Sequence, residues 1–349
     1  MKPTVESIDD KIKQSIEKRY SDTIVSHRYA VTVIENSYEL NYLRGLNYGK
    51  VLFALTHVIK NKTEHVFEFL MDSYDYFIQN QKEVGYLLTL NALGNYYDYN
   101  GNYEKALHYL EEWVYAEKKT DFREAESDIL SSLGKVYMRL NKYDEAIKHF
   151  LSSLQIRRDK NLKPAEASSL NLLGRAHSLK GLYKKGLEFY EQSINIRKKL
   201  NDDHGIVWCY IGIASMYELK GENYKAILYF KKAQEYNKEK KDQMGNFHIA
   251  KGLGKIYIEH SDYDLAKEQI TRLLNISEKI NSKPLIYKAC RLTANYYEMT
   301  RQFQKATEYY KKYIELKEEV LNIETQNRIA QKMAEFEIMA AKRNRKFIV

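Results

Sequence analysis

The residues that offer chemistry first are nine histidines, two cysteines and a scatter of paired carboxylates, and their spacing does not assemble a reaction. The histidines stand at 27, 57, 65, 108, 149, 177, 204, 248 and 260, and no two are set as metal ligands in the manner of His-Glu-x-x-His. No glycine-rich turn runs into Lys-Ser/Thr to cradle a phosphate, and no Gly-x-Ser-x-Gly elbow raises a nucleophile. Glu111-Glu112 and Glu318-Glu319 are paired, but each pair is expected on a helix surface, where solvation explains it better than acid–base work. Cys209 and Cys290 lie in apolar stretches and read as reduced core residues, not as a disulfide framework. The sequence therefore predicts no metal, no cofactor and no enzyme.

The elements that would position any site are helices. Three prolines and 15 glycines in 349 residues leave few breakers, while 44% apolar residues suffice for a core. No run approaches the roughly 20 apolar residues needed to cross a bilayer, and the start, from Met1 to Glu6, has no apolar signal core. A cytoplasmic location is expected. The net charge of +9, from 56 basic and 47 acidic residues, is moderate and interspersed. It suits a solvated helical surface or a basic groove; sequence-specific nucleic-acid binding is not expected, since that concentrates charge more heavily on one element.

The helices repeat. Leu93-Gly94-x-x-Tyr97 returns as Leu133-Gly134-x-x-Tyr137, Leu173-Gly174-x-x-His177, Ile213-Ala214-x-x-Tyr217, Leu253-Gly254-x-x-Tyr257 and Thr293-Ala294-x-x-Tyr297, a period of 40. A second ladder keeps step at Ala106, Ala146, Gly186, Ala226, Ala266 and Ala306. Each of its rungs has Tyr, Phe or Asn three residues earlier and a bulky apolar residue four later. Each cycle holds two amphipathic segments joined by turns such as Asn100-Gly101-Asn102 or Lys180-Gly181. The small residues stand where two helix backbones approach closely. One such hairpin cannot bury its apolar face alone, so hairpins must stack.

This pattern of Leu-Gly-x-x-Tyr, then Ala, then Phe/Tyr resembles the tetratricopeptide repeat family over about residues 85–320. The unit is longer than the family's usual length of about 34 residues, and it lacks the closing proline. The resemblance implies an all-α, right-handed α-solenoid of antiparallel helix pairs with a long C-terminal helix. We divide the chain into residues 1–80, degenerate helix pairs acting as a cap or as a small effector domain; 81–320, six repeats on the period of 40; and 321–349, a C-terminal extension helix. In the first segment Ala54, Val66 and Leu70 continue the ladder backward, and Ile16, Tyr20, Ile24 and Tyr29 make an apolar stripe. In the last, Leu316, Val320 and Ile323 precede a phase slip to Ile329, Met333, Phe336 and Ala340. That helix either folds on the final repeat or pairs with a copy of itself as a homodimer. The phrase Tyr310-Lys311-Lys312-Tyr313-Ile314-Glu315-Leu316-Lys317 is similar to the linker joining such repeats to output domains in bacterial diguanylate cyclases, adenylate cyclases and sensor histidine kinases.

In tetratricopeptide stacks the first helix of each pair lines the inner groove, with the slots three before and one after the small residue pointing into it. Here those slots hold Asn91 and Asn95, Ser131 and Lys135, Asn171 and Arg175, Ile211 and Ser215, Lys251 and Lys255, Arg291 and Asn295. None is acidic. Asn offers a donor and an acceptor to a peptide backbone, and Lys and Arg attract carboxylates. The candidate ligand-binding residues are thus Asn91, Asn95, Lys135, Asn171, Arg175, Ser215, Lys251, Lys255, Arg291 and Asn295. Their expected partner is a protein or extended peptide with acidic groups; a merely solvated groove and a small anion are the alternatives. Trp208 and His248, nearer the helix starts, offer a stacking surface or packing between repeats. By resemblance, the chain is a sensory module of a bacterial signalling protein. Two other readings stay open: a peptide-responsive regulator that promotes dephosphorylation of a response-regulator partner, and an assembly scaffold.

Overall fold

A computed structural model describes residues 3–18, 23–57, 66–118, 120, 126–240 and 242–320. They form α1 (Val5–Lys18), α2 (Thr23–Glu39), α3 (Leu43–His57), α4 (Val66–Phe77), α5 (Val84–Tyr99), α6 (Tyr103–Glu117), α7 (Glu126–Arg139), α8 (Tyr143–Asp159), α9 (Lys163–Leu179), α10 (Tyr183–Lys199), α11 (Asp203–Leu219), α12 (Asn223–Lys240), α13 (Gln243–Glu259), α14 (Tyr263–Ile280) and α15 (Lys283–Met299). A sixteenth helix, α16, runs over 303–320. No strand occurs among the described residues. The predicted C-terminal extension helix, and with it the predicted homodimer contact, falls on 321–349, outside the described residues.

Helix length is set by punctuation. A residue in the left-handed region stands at 101, 141, 161, 181, 201, 221, 261, 281 and 301, a step of 20 or a multiple of it, with φ between +52° and +84°. Seven of the nine are Asn or Gly, the types that enter this region at least cost. At 101, 161, 181, 201, 221, 261 and 301 the chain closes the helix with the same two bonds; at Gly181 the Leu182 N–H donates to the His177 carbonyl at 2.8 Å and the Gly181 N–H to the Ser178 carbonyl at 3.0 Å. A 17-residue helix such as α9, α10 or α11 plus a short turn makes the half-repeat. Two such halves give the observed period with no proline to end them.

The chain divides into two compact units, at residues 141 and 142. In the first, Leu52, Leu70, Phe77, Tyr86, Leu110 and Trp113 are fully buried. Arg44 ties α1 to α3 and to the start of α5, bridging Asp9 and Glu83 at 3.1 Å each. In the second, the ladder residues Phe150, Tyr190, Phe230 and Ile270 are buried. A polar tie, not foreseen from the sequence, recurs in successive repeats where one hairpin meets the next. Arg157 donates to the Ala165 carbonyl at 3.1 Å and to Ser169 Oγ at 2.7 Å; Arg197 pairs with Asp202; Asn237 donates to the Asp242 carbonyl at 2.8 Å. All three side chains are buried and partnered, as buried polar groups must be.

The small-residue ladder works as close approach. A Cβ on residue 94 would lie 2.6 Å from the Leu110 side chain, whereas one on residue 254 would meet nothing nearer than 3.3 Å, the flexible end of Leu292. Gly94→Ala should therefore lower stability by about 1–3 kcal/mol through overpacking. Gly254→Ala should be neutral or stabilising by up to about 1 kcal/mol through helix propensity. Chemical denaturation checks the pair; equal effects at the two positions would contradict this packing.

Candidate functional site

The ten slot residues meet different fates. In the first unit Asn91 is buried, and its Oδ1 accepts from Asn95 Nδ2 at 2.9 Å, so this pair is turned on itself. Lys135 lies near Asp98, whose carboxyl burial pushes above its usual range while Arg139 and Lys135 pull it back. Asp98 also pairs with Arg139 at 3.2 Å.

In the second unit Ser215, Lys251, Lys255, Arg291 and Asn295 come together. They line a recess of 780 Å3 walled by α11, α13, α15 and α16, within the roughly 300–1,000 Å3 of ligand pockets. Asn171 and Arg175, on α9, are not among its walls. Asn171 nonetheless has a buried Oδ1 without a hydrogen bond, and Arg175 lies close enough to His248 to disfavour its protonation.

The slots hold no acid, but the recess does: Glu218 and Glu259 also line it. Lys255 Nζ sits 2.6 Å from Glu218 and 3.8 Å from Glu259, which holds its pKa above the ordinary lysine value, chiefly through the Glu218 hydrogen bond. The cause is geometric. The residue four after one small residue faces the residue one after the next, so Glu218 reaches Lys255 as Asp98 approaches Lys135.

Lys251 and Arg291, three residues before their small residues, escape this pairing. Neither has a carboxylate partner among the described residues, and neither does Lys288, one turn nearer the α15 start. The three crowd one another. Partial desolvation, then Lys288, Lys255 and Arg291, push the Lys251 pKa down, with Glu218 opposing. Burial, then Lys251, Lys288 and Arg175, lower His248 to about 4. Arg291 lies over the Tyr313 ring, 6.0 Å from its centre, and Trp208 meets His248 edge-on at 5.5 Å.

Sequence reasoning missed Lys288, Tyr287, Tyr310, Tyr313 and Lys317 as walls of the recess. For Lys288 the signal was present: Trp208, His248 and Lys288 occupy one position of three successive repeats. The α16 residues gave none, because their register is a core register in every earlier repeat.

A second recess of 650 Å3 lies along α14 and the start of α13. It mixes Asp264 and Glu268 with Lys267 and Arg272, so it carries no concentrated charge of one sign. No cluster of three or more potential metal-binding side chains occurs among the described residues, and no described helix is long and apolar enough to cross a membrane.

Stacked helical hairpins bearing a lateral recess define the class, an all-α repeat scaffold. Tetratricopeptide repeat profiles match residues 125–199 and 166–239, and another matches 87–113. These segments are tetratricopeptide repeats. Similar solved structures include a Rap protein complexed with competence and sporulation factor, 14% identical, with a TM-score of 0.63 over 91% of this chain and 99% of that one. NprR in complex with its cognate peptide NprX is 15% identical, with a TM-score of 0.62 over 88% and 99%. Aspartyl phosphate phosphatase F from Bacillus subtilis is 15% identical, with a TM-score of 0.58 over 90% and 95%. These likenesses are of fold. No curated protein matches the sequence.

The His248 environment makes a direct prediction. The unfolded chain takes up this proton near 6.5 and the folded chain only near 4. Acidification through that window should therefore weaken the fold, and above it His248 should have no effect. In NMR titrations, with His248→Gln to assign the signal, the ring should titrate near 4 and move upward in Lys251→Glu. A midpoint near 6.5 in the unaltered protein would contradict the crowding of cations.

Proposed function

We propose that this protein is a non-catalytic binding scaffold whose recess between α13 and α15 receives an acidic segment of a peptide or protein. The supporting observation is the convergence of Lys251, Lys288 and Arg291 on one half-enclosed space without a carboxylate partner among the described residues. Like charges held together raise the free energy of the empty site, and an incoming carboxylate relieves it. Half-buried Asn295 and Ser215 on the same walls offer donors and acceptors to a backbone. Both cysteines are buried and free, which suits a reducing, cytoplasmic setting.

A second reading follows from the likeness to aspartyl phosphate phosphatase F over 90% of this chain. On it, the bound segment regulates an action of the N-terminal helices on a response regulator, and accelerated loss of phosphate from a phosphorylated partner is the readout.

For the first reading, fluorescence anisotropy with short labelled peptides is decisive. Acidic peptides should bind and basic ones should not, and added salt should weaken the complex. The double variant Lys251→Glu, Arg291→Glu should weaken binding roughly 10–100-fold, while Lys135→Glu changes little. Equal binding of acidic and basic peptides, or an unaffected double variant, removes the proposal.

A further inference from the structure

The recess is not uniformly polar, and its layering narrows what fits. The cations stand at its mouth: Lys251, Lys288 and Arg291 are all exposed. Its floor is Ile211, Phe230, Gly252 and Leu292. Gly252 lets the Phe230 ring reach the α13 backbone, since a Cβ there would come 2.2 Å from that ring. The far wall is aromatic as well. At the register of Tyr310, the earlier repeats hold Leu110, Phe150, Tyr190, Phe230 and Ile270, each at most 4% exposed. At the register of Tyr313, they hold Trp113, Ser153, Ser193, Ala233 and Leu273, all buried. Tyr310 and Tyr313 are only half-buried. The face that closes every earlier hairpin thus contributes two rings to the recess.

A bare polyanion would satisfy the mouth and leave this apolar floor wet. A bare apolar group would fill the floor and desolvate the cations without compensation. Resting on the reading that the recess receives an acidic segment, we propose that the segment is held by an apolar anchor: an aromatic or large aliphatic side chain, flanked by carboxylates, seated between α13 and α15. The anchor packs on Ile211, Leu292 and the two tyrosine rings, and its flanking carboxylates meet Lys251, Lys288 and Arg291. Affinity then depends on the central side chain as well as on charge, because burying an apolar side chain is favourable in proportion to the area removed from water.

The test compares two acetylated, amidated heptapeptides, Asp-Glu-Asp-Phe-Asp-Glu-Asp and its counterpart with Ser at the centre, by calorimetry on the full chain at low salt. The Phe peptide should bind at least tenfold more tightly. In Lys251→Glu both peptides should weaken together and keep their ratio. In Ser215→Phe, which narrows the recess from α11, the ratio should collapse toward one; circular dichroism verifies the fold of each variant. The comparison on the unaltered chain decides the matter whether or not the variants fold. Equal affinities of the Phe and Ser peptides overturn the anchor and leave the acidic-segment reading standing. Binding of neither overturns both.

Discussion

A left-handed residue that recurs at a fixed step along the chain is the constraint from which the rest of the structure follows. By ending successive helices at matched positions, these turns keep every repeat in one register. Equal offsets from the small residue then acquire equal environments, repeat after repeat. The burial of Phe150, Tyr190, Phe230 and Ile270 is one consequence. The alignment of Trp208, His248 and Lys288 along one surface line is another. The buried ties at Arg157, Arg197 and Asn237 use the same register to hold each hairpin against the next. Where Ser261 and Arg301 replace Asn or Gly in the left-handed region, the register is kept at some cost in backbone strain.

Register also decides which charges are available to a ligand. A lysine one residue after the small residue faces an acid contributed by the preceding repeat, as Lys255 faces Glu218. A basic residue three before the small residue has no such neighbour, and Lys251 and Arg291 therefore remain open. The depressed pKa of Lys251 and the value of about 4 for His248 express one fact: partial desolvation and clustered positive charge act on the same space.

The fold was legible because two small-residue ladders sharing one long period, with apolar residues at helical spacing, admit few structures other than stacked hairpins. The length of the unit was legible too, once Asn and Gly are seen to end the helices in place of proline. The candidate recess was legible only in part. Ser215, Lys251, Lys255, Arg291 and Asn295 were found from register alone and line one recess. What register could not show was charge compensation. The pairing of Lys255 with Glu218 depends on how two helices face each other, and Glu218 carries no mark in the sequence. Tyr310 and Tyr313 were hidden for the opposite reason: their slots belong to the core in every earlier repeat, so a core role was the natural reading.

Binding of an acidic segment requires the space beside Trp208 and His248 to be strongly positive. Ionic quenching of Trp208 fluorescence reads that potential at close range, because Trp208 lies 5.5 Å from His248. The other tryptophan, Trp113, is 1% exposed and belongs to the first unit, so it contributes little to quenching. Iodide should quench far more efficiently than caesium at low salt, and the double variant Lys251→Glu, Arg291→Glu should reduce or reverse the difference. Equal quenching by the two ions, or a preference for caesium, would contradict a positive recess.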